Sequence, residues 1–147
     1  MTEAAKKEVH GSCLCGEVAF HGKAQQNSFG VCHCSMCRKW SGGVMMALPL
    51  GDSLVFDKGE DLVTYYRSSP WGERAFCSAC GTSLGWRMAS SKAMVVSVMS
   101  LDEAADFSMD FQIFVDCNPG TYEFANETKM MTEAQFMESM QKNMPAS

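Results

Sequence analysis

Apolar residues occur along this 147-residue chain in short runs that are separated by polar and glycine-containing segments. The runs at 44–50 and 94–99 have the length of single strands, and β-branched and aromatic residues dominate 62–66. Further short runs lie at residues 17–20, 54–56, 73–76, 82–86 and 111–115. Segments such as 57–60 have the composition of turns. The pattern therefore predicts a mainly β fold.

A helical period is found only near the C-terminus. Four apolar residues between positions 136 and 144 recur at helical spacing. Thr132 and Gln135 have the spacing of a capping box, in which the two side chains satisfy backbone N–H groups reciprocally. Pro145 lies beyond the expected end of this helix. We predict a short amphipathic helix within a C-terminal extension of residues 126–147.

Composition and charge narrow the classes of partner. Hydrophobic residues make up 46% and charged residues 20%, which are globular values, and the net charge is −5. This acidic balance disfavours nucleic acid and anionic membranes as partners. Residues 1–9 are polar, so we expect a mobile tail there, and no apolar run has the length of a membrane span. We expect a cytoplasmic protein, and the oligomeric state is not predicted.

The eight cysteines are concentrated in three clusters. Two clusters contain a pair each, one contains three cysteines, and Cys117 stands alone; the clustered residues are Cys13 and Cys15, then Cys32, Cys34 and Cys37, then Cys77 and Cys80. In a reducing compartment, clustered cysteines are more often metal ligands than disulfides. The clusters are therefore candidate zinc ligands, and a redox pair at Cys77 and Cys80 is disfavoured because no βαβ context surrounds it.

The spacing within each cluster determines which sulfurs can meet. In an extended strand, residues i and i+2 point to one face, so each C-x-C pair can present two sulfurs to one ion. By the same rule His33 points away, and we do not count it as a ligand. The C-x-x-C-G cluster has the form of a zinc knuckle, whose turn Gly81 would close.

Counting ligands favours two unequal metal sites. Structural zinc takes four protein ligands, whereas catalytic zinc usually takes three and leaves one position open. The simplest partition joins the two pairs into a four-cysteine site and leaves Cys32, Cys34 and Cys37 as a three-cysteine site, although arithmetic alone permits others. Cys117 is the alternative that would close the second site as a fourth ligand.

Three motifs together carry a family resemblance. The segments GSCLCGEV, CHCSMCRKWSGG and FCSACGT, in this order, resemble the glutathione-dependent formaldehyde-activating enzyme family, which includes the centromere protein V-like proteins. The resemblance covers residues 10–125, which we take as the zinc-binding domain. It implies an Mss4-like, β-rich fold stapled by zinc. It also implies two zinc ions per chain: a structural ion on Cys13, Cys15, Cys77 and Cys80, and a second ion on Cys32, Cys34 and Cys37.

The resemblance also implies an activity. The family's named reaction joins glutathione and formaldehyde to S-hydroxymethylglutathione and is classed, in reverse, as that of a carbon–sulfur lyase. Its partners would be a small-molecule thiol, with glutathione as co-substrate, and an aldehyde. The alternative is a non-enzymatic zinc-scaffold protein of Mss4-like fold that binds a protein partner.

Candidate substrate-binding residues directly follow the three-cysteine cluster. Arg38 and Lys39 could bind the carboxylates of glutathione, and Arg38 is favoured because its guanidinium can contact a carboxylate at two points. Two positions depart from the family pattern: family members often have histidine at the position of Gln112 and an aromatic residue at that of Thr121. These departures bear on which substrate is accepted.

Overall fold

The computed structural model describes residues 6–143 and is mainly β. Strands are formed at β1 (Glu8–Ser12), β2 (Ala19–Lys23), β3 (Ser28–Cys32), β4 (Met45–Gly51), β5 (Val55–Lys58), β6 (Val63–Arg67), β7 (Gly72–Cys77), β8 (Ser83–Met88), β9 (Met94–Ser97), β10 (Ser108–Ile113) and β11 (Lys129–Met131). The helices are α1 (Ser35–Ser41) and α2 (Glu133–Asn143). The predicted mainly β fold with a short C-terminal helix is confirmed.

The chain divides into two compact units. The first unit comprises residues 6–29 and 46–108. It contains a three-stranded sheet in the order β1-β2-β5 and a run of antiparallel strands in the order β4-β9-β8-β7-β6. Every second residue of β1 and β2 is buried, including Val9 and Phe20, which is the alternation expected of a half-buried sheet.

The second unit comprises residues 30–45 and 109–143. Strands β3, β10 and β11 are neighbours in it, with β11 parallel to β10. Gly30 of β3 lies against the ring of Phe111 in β10, so closely that a side chain at position 30 would overlap the ring. The glycine is therefore required by the close approach of these two strands.

The predicted C-terminal helix is present with its predicted cap. Thr132 Oγ1 accepts a hydrogen bond from the backbone N–H of Gln135 at 3.2 Å, and Gln135 Oε1 accepts from the N–H of Thr132 at 2.9 Å. This is the reciprocal pair of a capping box. Phe136 in the first turns of α2 packs on Phe114, with ring centroids 5.6 Å apart. The expected stop at Pro145 lies outside the described residues.

Some boundaries and elements differ from expectation. Strand β1 includes Glu8 and Val9, the last two residues of the predicted tail, while residues 1–5 lie outside the described residues. The helix α1, which contains Cys37 and has Cys34 as its N-cap, was not predicted. Within residues 6–143, no helix is long and apolar enough to span a membrane.

One glycine is expected to be sensitive to substitution for two reasons at once. Gly59 has φ of +77°, and a Cβ there would overlap the backbone carbonyl oxygen of Glu17. We expect Gly59→Ala to lower the free energy of unfolding by about 2–5 kcal/mol, because left-handed strain and backbone overlap add. Urea denaturation of the variant measures this.

The matched control is Gly120→Ala. Gly120 has φ of +85°, but nothing lies within 4 Å of the added Cβ. We expect a loss of only about 1–2 kcal/mol there, from left-handed strain alone. Equal decreases in the free energy of unfolding of Gly59→Ala and Gly120→Ala would contradict the role assigned to the Glu17 carbonyl.

Candidate metal centres

Four cysteines of the first unit meet at two tight turns. Cys13 and Cys15 lie on the turn between β1 and β2, whereas Cys77 ends β7 and Cys80 lies on the turn that follows it. Their four Sγ atoms all lie within 4.8 Å of one another. The Sγ of Cys15 is 3.5 Å from that of Cys13 and 3.9 Å from that of Cys77. This four-sulfur group could hold one metal ion.

The two turns are built alike. Each ends in a glycine with a left-handed backbone, Gly16 with φ of +80° and Gly81 with φ of +81°. The N–H of Gly16 donates to the carbonyl of Cys13 at 3.1 Å, and that of Gly81 donates to the carbonyl of Cys77 at 2.7 Å. Gly81 therefore closes the knuckle as expected.

This geometry corrects our prediction for the first pair. Cys13 and Cys15 do not meet by strand alternation, because β1 ends at Ser12 and both cysteines follow it in the turn. The backbone curvature of the turn brings the two sulfurs to one side. In the triplet the extended backbone does hold at Cys34, whose φ and ψ are −61° and 154°.

Thr82 links the two turns through its hydroxyl group. Its Oγ1 accepts a hydrogen bond from the N–H of Leu14 at 2.9 Å and lies 3.2 Å from the Sγ of Cys80. The hydroxyl of Thr82, with further backbone hydrogen bonds, lowers the pKa of Cys80 to about 5. Cys80 is therefore prepared to act as a thiolate.

Crowding shifts the pKa of Cys15 in the opposite direction from that of Cys80. A backbone hydrogen bond at Glu17 lowers the pKa of Cys15, but burial and the neighbouring thiols outweigh it and raise the pKa to about 12. Four thiolates in so small a volume repel one another unless a cation compensates them. The donor set therefore fits a thiophilic cation, for which zinc is the usual choice.

Three cysteines of the second unit form a separate group. Cys32 ends β3, Cys34 caps the N-terminus of α1, and Cys37 lies in the first turn of that helix. Their Sγ atoms also lie within 4.8 Å of one another. Hydrogen bonds with the other two thiols, followed by burial, raise the pKa of Cys32 strongly, which again indicates a group that ionises fully only around a cation.

Cys117 does not belong to this group among the described residues. Its Sγ lies 3.8 Å from Oε1 of Glu133, and the three-sulfur group does not include it. Burial raises the pKa of the Cys117 thiol, with Asp116 and Glu133 adding to the effect. No disulfide joins any of the eight cysteines, all of which are described.

The two basic residues after the triplet have different surroundings. Arg38 is half-buried, and its Nε donates to the carbonyl of His33 at 2.9 Å. Lys39 is exposed. The structure thus holds the guanidinium of Arg38 beside the three-cysteine segment, whereas it places Lys39 at the surface.

Sequence reasoning missed a buried polar group beside the triplet. His33 is fully buried, and its ring nitrogens lie 2.7 Å from Tyr122 Oη and 2.7 Å from Gln112 Oε1. A buried histidine needs hydrogen-bond partners for both ring nitrogens, and these two groups supply them. The partners are 89 and 79 residues away in sequence, which no local pattern indicates.

Removing the hydroxyl of Thr82 tests the link between the turns. We expect Thr82→Val to lower the free energy of unfolding by about 1–2 kcal/mol, because the N–H of Leu14 loses its acceptor and Cys80 loses its donor. Thr82→Ser keeps the hydroxyl and serves as the control. Thermal or urea unfolding of both variants measures the difference, and a Thr82→Val protein as stable as Thr82→Ser would contradict this role.

A scan against protein families finds one match that covers most of the chain. The model described as glutathione-dependent formaldehyde-activating enzyme matches residues 8–117, which are 110 of the 147 residues. An uncharacterised lyase of Schizosaccharomyces pombe is 30% identical over 136 residues, covering 92% of this chain and 98% of its own length.

Two further similarities have narrower coverage. A Halomonas elongata protein, provisionally named a glutathione-dependent formaldehyde-activating enzyme, is 39% identical over 85 residues, which is 52% of this chain and 54% of its own. A crystal structure of a Rhodobacter sphaeroides protein superposes with a TM-score of 0.54 at 22% identity, covering 68% of this chain and 98% of that one. The latter supports the fold alone.

Proposed function

Because the chain belongs to the glutathione-dependent formaldehyde-activating enzyme family, we propose that it is a zinc-dependent carbon–sulfur lyase. Its substrate is an adduct of glutathione and an aldehyde, of the S-hydroxymethylglutathione type. The observation that carries the proposal is the division of seven cysteines into a group of four and a group of three. A lyase-named relative supports the coarser assignment to lyases.

The four-cysteine group is proposed as a structural zinc site. Cys13, Cys15, Cys77 and Cys80 supply four thiolate ligands, the number that closes a tetrahedral ion to other ligands. The ion would fasten the β1–β2 turn to the β7–β8 turn. Its role would be in folding and not in chemistry.

The three-cysteine group is proposed as the reactive centre. Cys32, Cys34 and Cys37 supply three ligands, and Cys117 lies outside the group with its thiol on Glu133. Three protein ligands would leave one position of a bound zinc ion open, and that position could take the sulfur of the substrate. When bound, zinc would favour the thiolate form of that sulfur.

The proposed reaction requires the protein mainly to hold and orient the thiol and the aldehyde. When the carbon–sulfur bond of the adduct breaks, the sulfur keeps the electron pair and becomes a thiolate. The carbon–oxygen bond becomes a carbonyl, and the hydroxyl proton is released. In the opposite direction a thiolate attacks the aldehyde carbon, and the aldehyde oxygen takes up a proton. Because two molecules must meet in this direction, holding them close together would supply much of the rate acceleration.

Arg38 and Lys39 are proposed to bind the carboxylates of glutathione. The Nε of Arg38 is engaged by the carbonyl of His33, which fixes the guanidinium beside the triplet. Its four remaining N–H groups can donate to a carboxylate. Lys39 is exposed and would contribute a weaker, more mobile contact. We expect this chemistry in the reducing cytoplasm, with no nucleic acid partner.

Metal content separates the two proposed sites. We expect Cys77→Ala to yield unfolded or insoluble protein, because structural zinc contributes about 10–16 kcal/mol to small domains whose whole stability is about 5–15 kcal/mol. We expect Cys34→Ala to stay folded and to retain one zinc ion per chain. Elemental analysis with circular dichroism melting measures both.

Cys117→Ala is the control for these variants and should keep two zinc ions. Two ions per chain in Cys34→Ala would contradict the second site. One ion in Cys117→Ala would instead assign Cys117 as a fourth ligand and close the position proposed for the substrate.

Turnover tests the reaction itself. We expect the wild-type protein to accelerate formaldehyde release from S-hydroxymethylglutathione, and Cys37→Ser to lose at least about 100-fold of that rate. Cys117→Ser should retain it. Formaldehyde is measured by trapping against the uncatalysed rate. A fully zinc-loaded wild-type protein that gives no acceleration would favour the non-enzymatic zinc scaffold instead.

A further inference from the structure

A chain of side-chain hydrogen bonds runs through the second unit and ends at a phenol. Gln112 Nε2 donates to Thr128 Oγ1 at 2.9 Å, Gln112 Oε1 lies 2.7 Å from His33 Nε2, and His33 Nδ1 lies 2.7 Å from Tyr122 Oη. His33 is fully buried and Gln112 is 4% exposed. This series of hydrogen bonds is therefore shielded from water over most of its length.

The direction of this chain follows from the chemistry of its groups. Gln112 turns its NH₂ group to Thr128, so its oxygen faces His33, and an amide oxygen can only accept. His33 Nε2 must therefore carry a hydrogen. In a neutral imidazole the other nitrogen then has none, so Nδ1 accepts and Tyr122 donates its O–H to His33.

The phenol is held in one orientation beside the three-cysteine segment. The rings of Tyr122 and His33 stack at 5.4 Å between centroids with an interplanar angle of 19°, and Phe124 meets Tyr122 edge-on at 6.1 Å. His33 lies between Cys32 and Cys34 in the chain. The Nε of Arg38 donates to the backbone carbonyl of the same His33 at 2.9 Å, so the phenol and the guanidinium both bind the residue between Cys32 and Cys34.

The hydroxyl hydrogen of Tyr122 is donated to His33. The phenol oxygen can therefore only accept a hydrogen bond from any other group. Of the species in the proposed reaction, the adduct alone carries a hydroxyl on the carbon next to sulfur. A free aldehyde offers a carbonyl oxygen, which cannot donate. The site thus has an acceptor that suits a hydroxyalkyl thioether and does not suit the aldehyde or an alkyl thioether.

Resting on the proposed function, we propose that Tyr122 is a specificity-determining residue whose phenol oxygen accepts a hydrogen bond from the hydroxyl of the glutathione–aldehyde adduct. Gln112 is a positioning residue that acts through His33. It fixes which ring nitrogen carries the hydrogen and so makes the phenol an acceptor.

The test compares two ligands that differ by one hydroxyl. S-hydroxymethylglutathione is used as substrate, and S-ethylglutathione, in which a methyl group replaces the hydroxyl, is used as a competitive inhibitor of the zinc-loaded full chain. We expect Tyr122→Phe to raise KM for the adduct about threefold to tenfold, the effect of one neutral hydrogen bond. The inhibition constant of S-ethylglutathione should stay within about twofold.

Tyr66→Phe is the matched control, because it removes an exposed phenol from β6 of the first unit. It should change neither constant. An unchanged KM in Tyr122→Phe, or equal losses for both ligands, overturns the inference while the proposed function stands. A wild-type protein without turnover overturns the proposed function and, with it, the adduct as the partner of Tyr122.

The direction of the hydrogen bonds has a readout that does not depend on turnover. Nitrogen NMR of protein labelled in its three histidines distinguishes the two neutral tautomers of His33. We expect the hydrogen on Nε2 in wild type and in Tyr122→Phe. A hydrogen on Nδ1 would make the phenol a donor and would overturn the inference, whatever the kinetics show.

Discussion

The crowding of sulfur atoms is the constraint on which this molecule depends. Four thiols of the first unit lie within 4.8 Å of one another, and they come from turns that are separated by 61 residues between Cys15 and Cys77. Thiols at such distances cannot all ionise alone, as the opposite pKa shifts of Cys15 and Cys80 indicate. A cation bound by the four sulfurs would remove the conflict and would join the two turns. Each turn has a glycine and an internal hydrogen bond that hold its backbone in place.

The second unit contains a similar group with one sulfur atom fewer. Its three cysteines come from one six-residue segment, and the surrounding side chains are polar: the guanidinium of Arg38, the imidazole of His33 and the phenol of Tyr122. The contrast with the first unit is one of surroundings as well as number. Polar groups that can donate and accept hydrogen bonds lie beside the smaller sulfur group. This arrangement is expected of a site that orients a polar substrate.

Much of the strand pattern could be predicted, because apolar runs and turn residues are local signals. Strand β1 was missed because its first residues were assigned to a polar tail, and β3 was missed because it is short and contains a glycine. Both strands have a glycine that admits an aromatic ring, Phe20 against Gly11 and Phe111 against Gly30. Helix α1 was missed because its cap is Cys34, whose sulfur accepts from the N–H of Cys37 in place of the usual serine or aspartate oxygen. Counting ligands favoured the grouping of sulfurs that the structure brings together, although the spacing argument for Cys13 and Cys15 was wrong. The hydrogen bonds of His33 join segments that are distant in sequence, so no local pattern predicted them.

The distribution of the two sulfur groups along the chain has a consequence for the order in which they can assemble during synthesis. The triplet is complete as soon as residue 37 has emerged from the ribosome, whereas the four-sulfur group must wait for residue 80 and then close a loop of more than 60 residues. Tyr122 and Gln112, which surround His33, emerge later still. A nascent chain thus exposes the segment of the proposed reactive centre before the proposed structural centre can form. The polar groups around His33 are added only after both sets of cysteines have been synthesised.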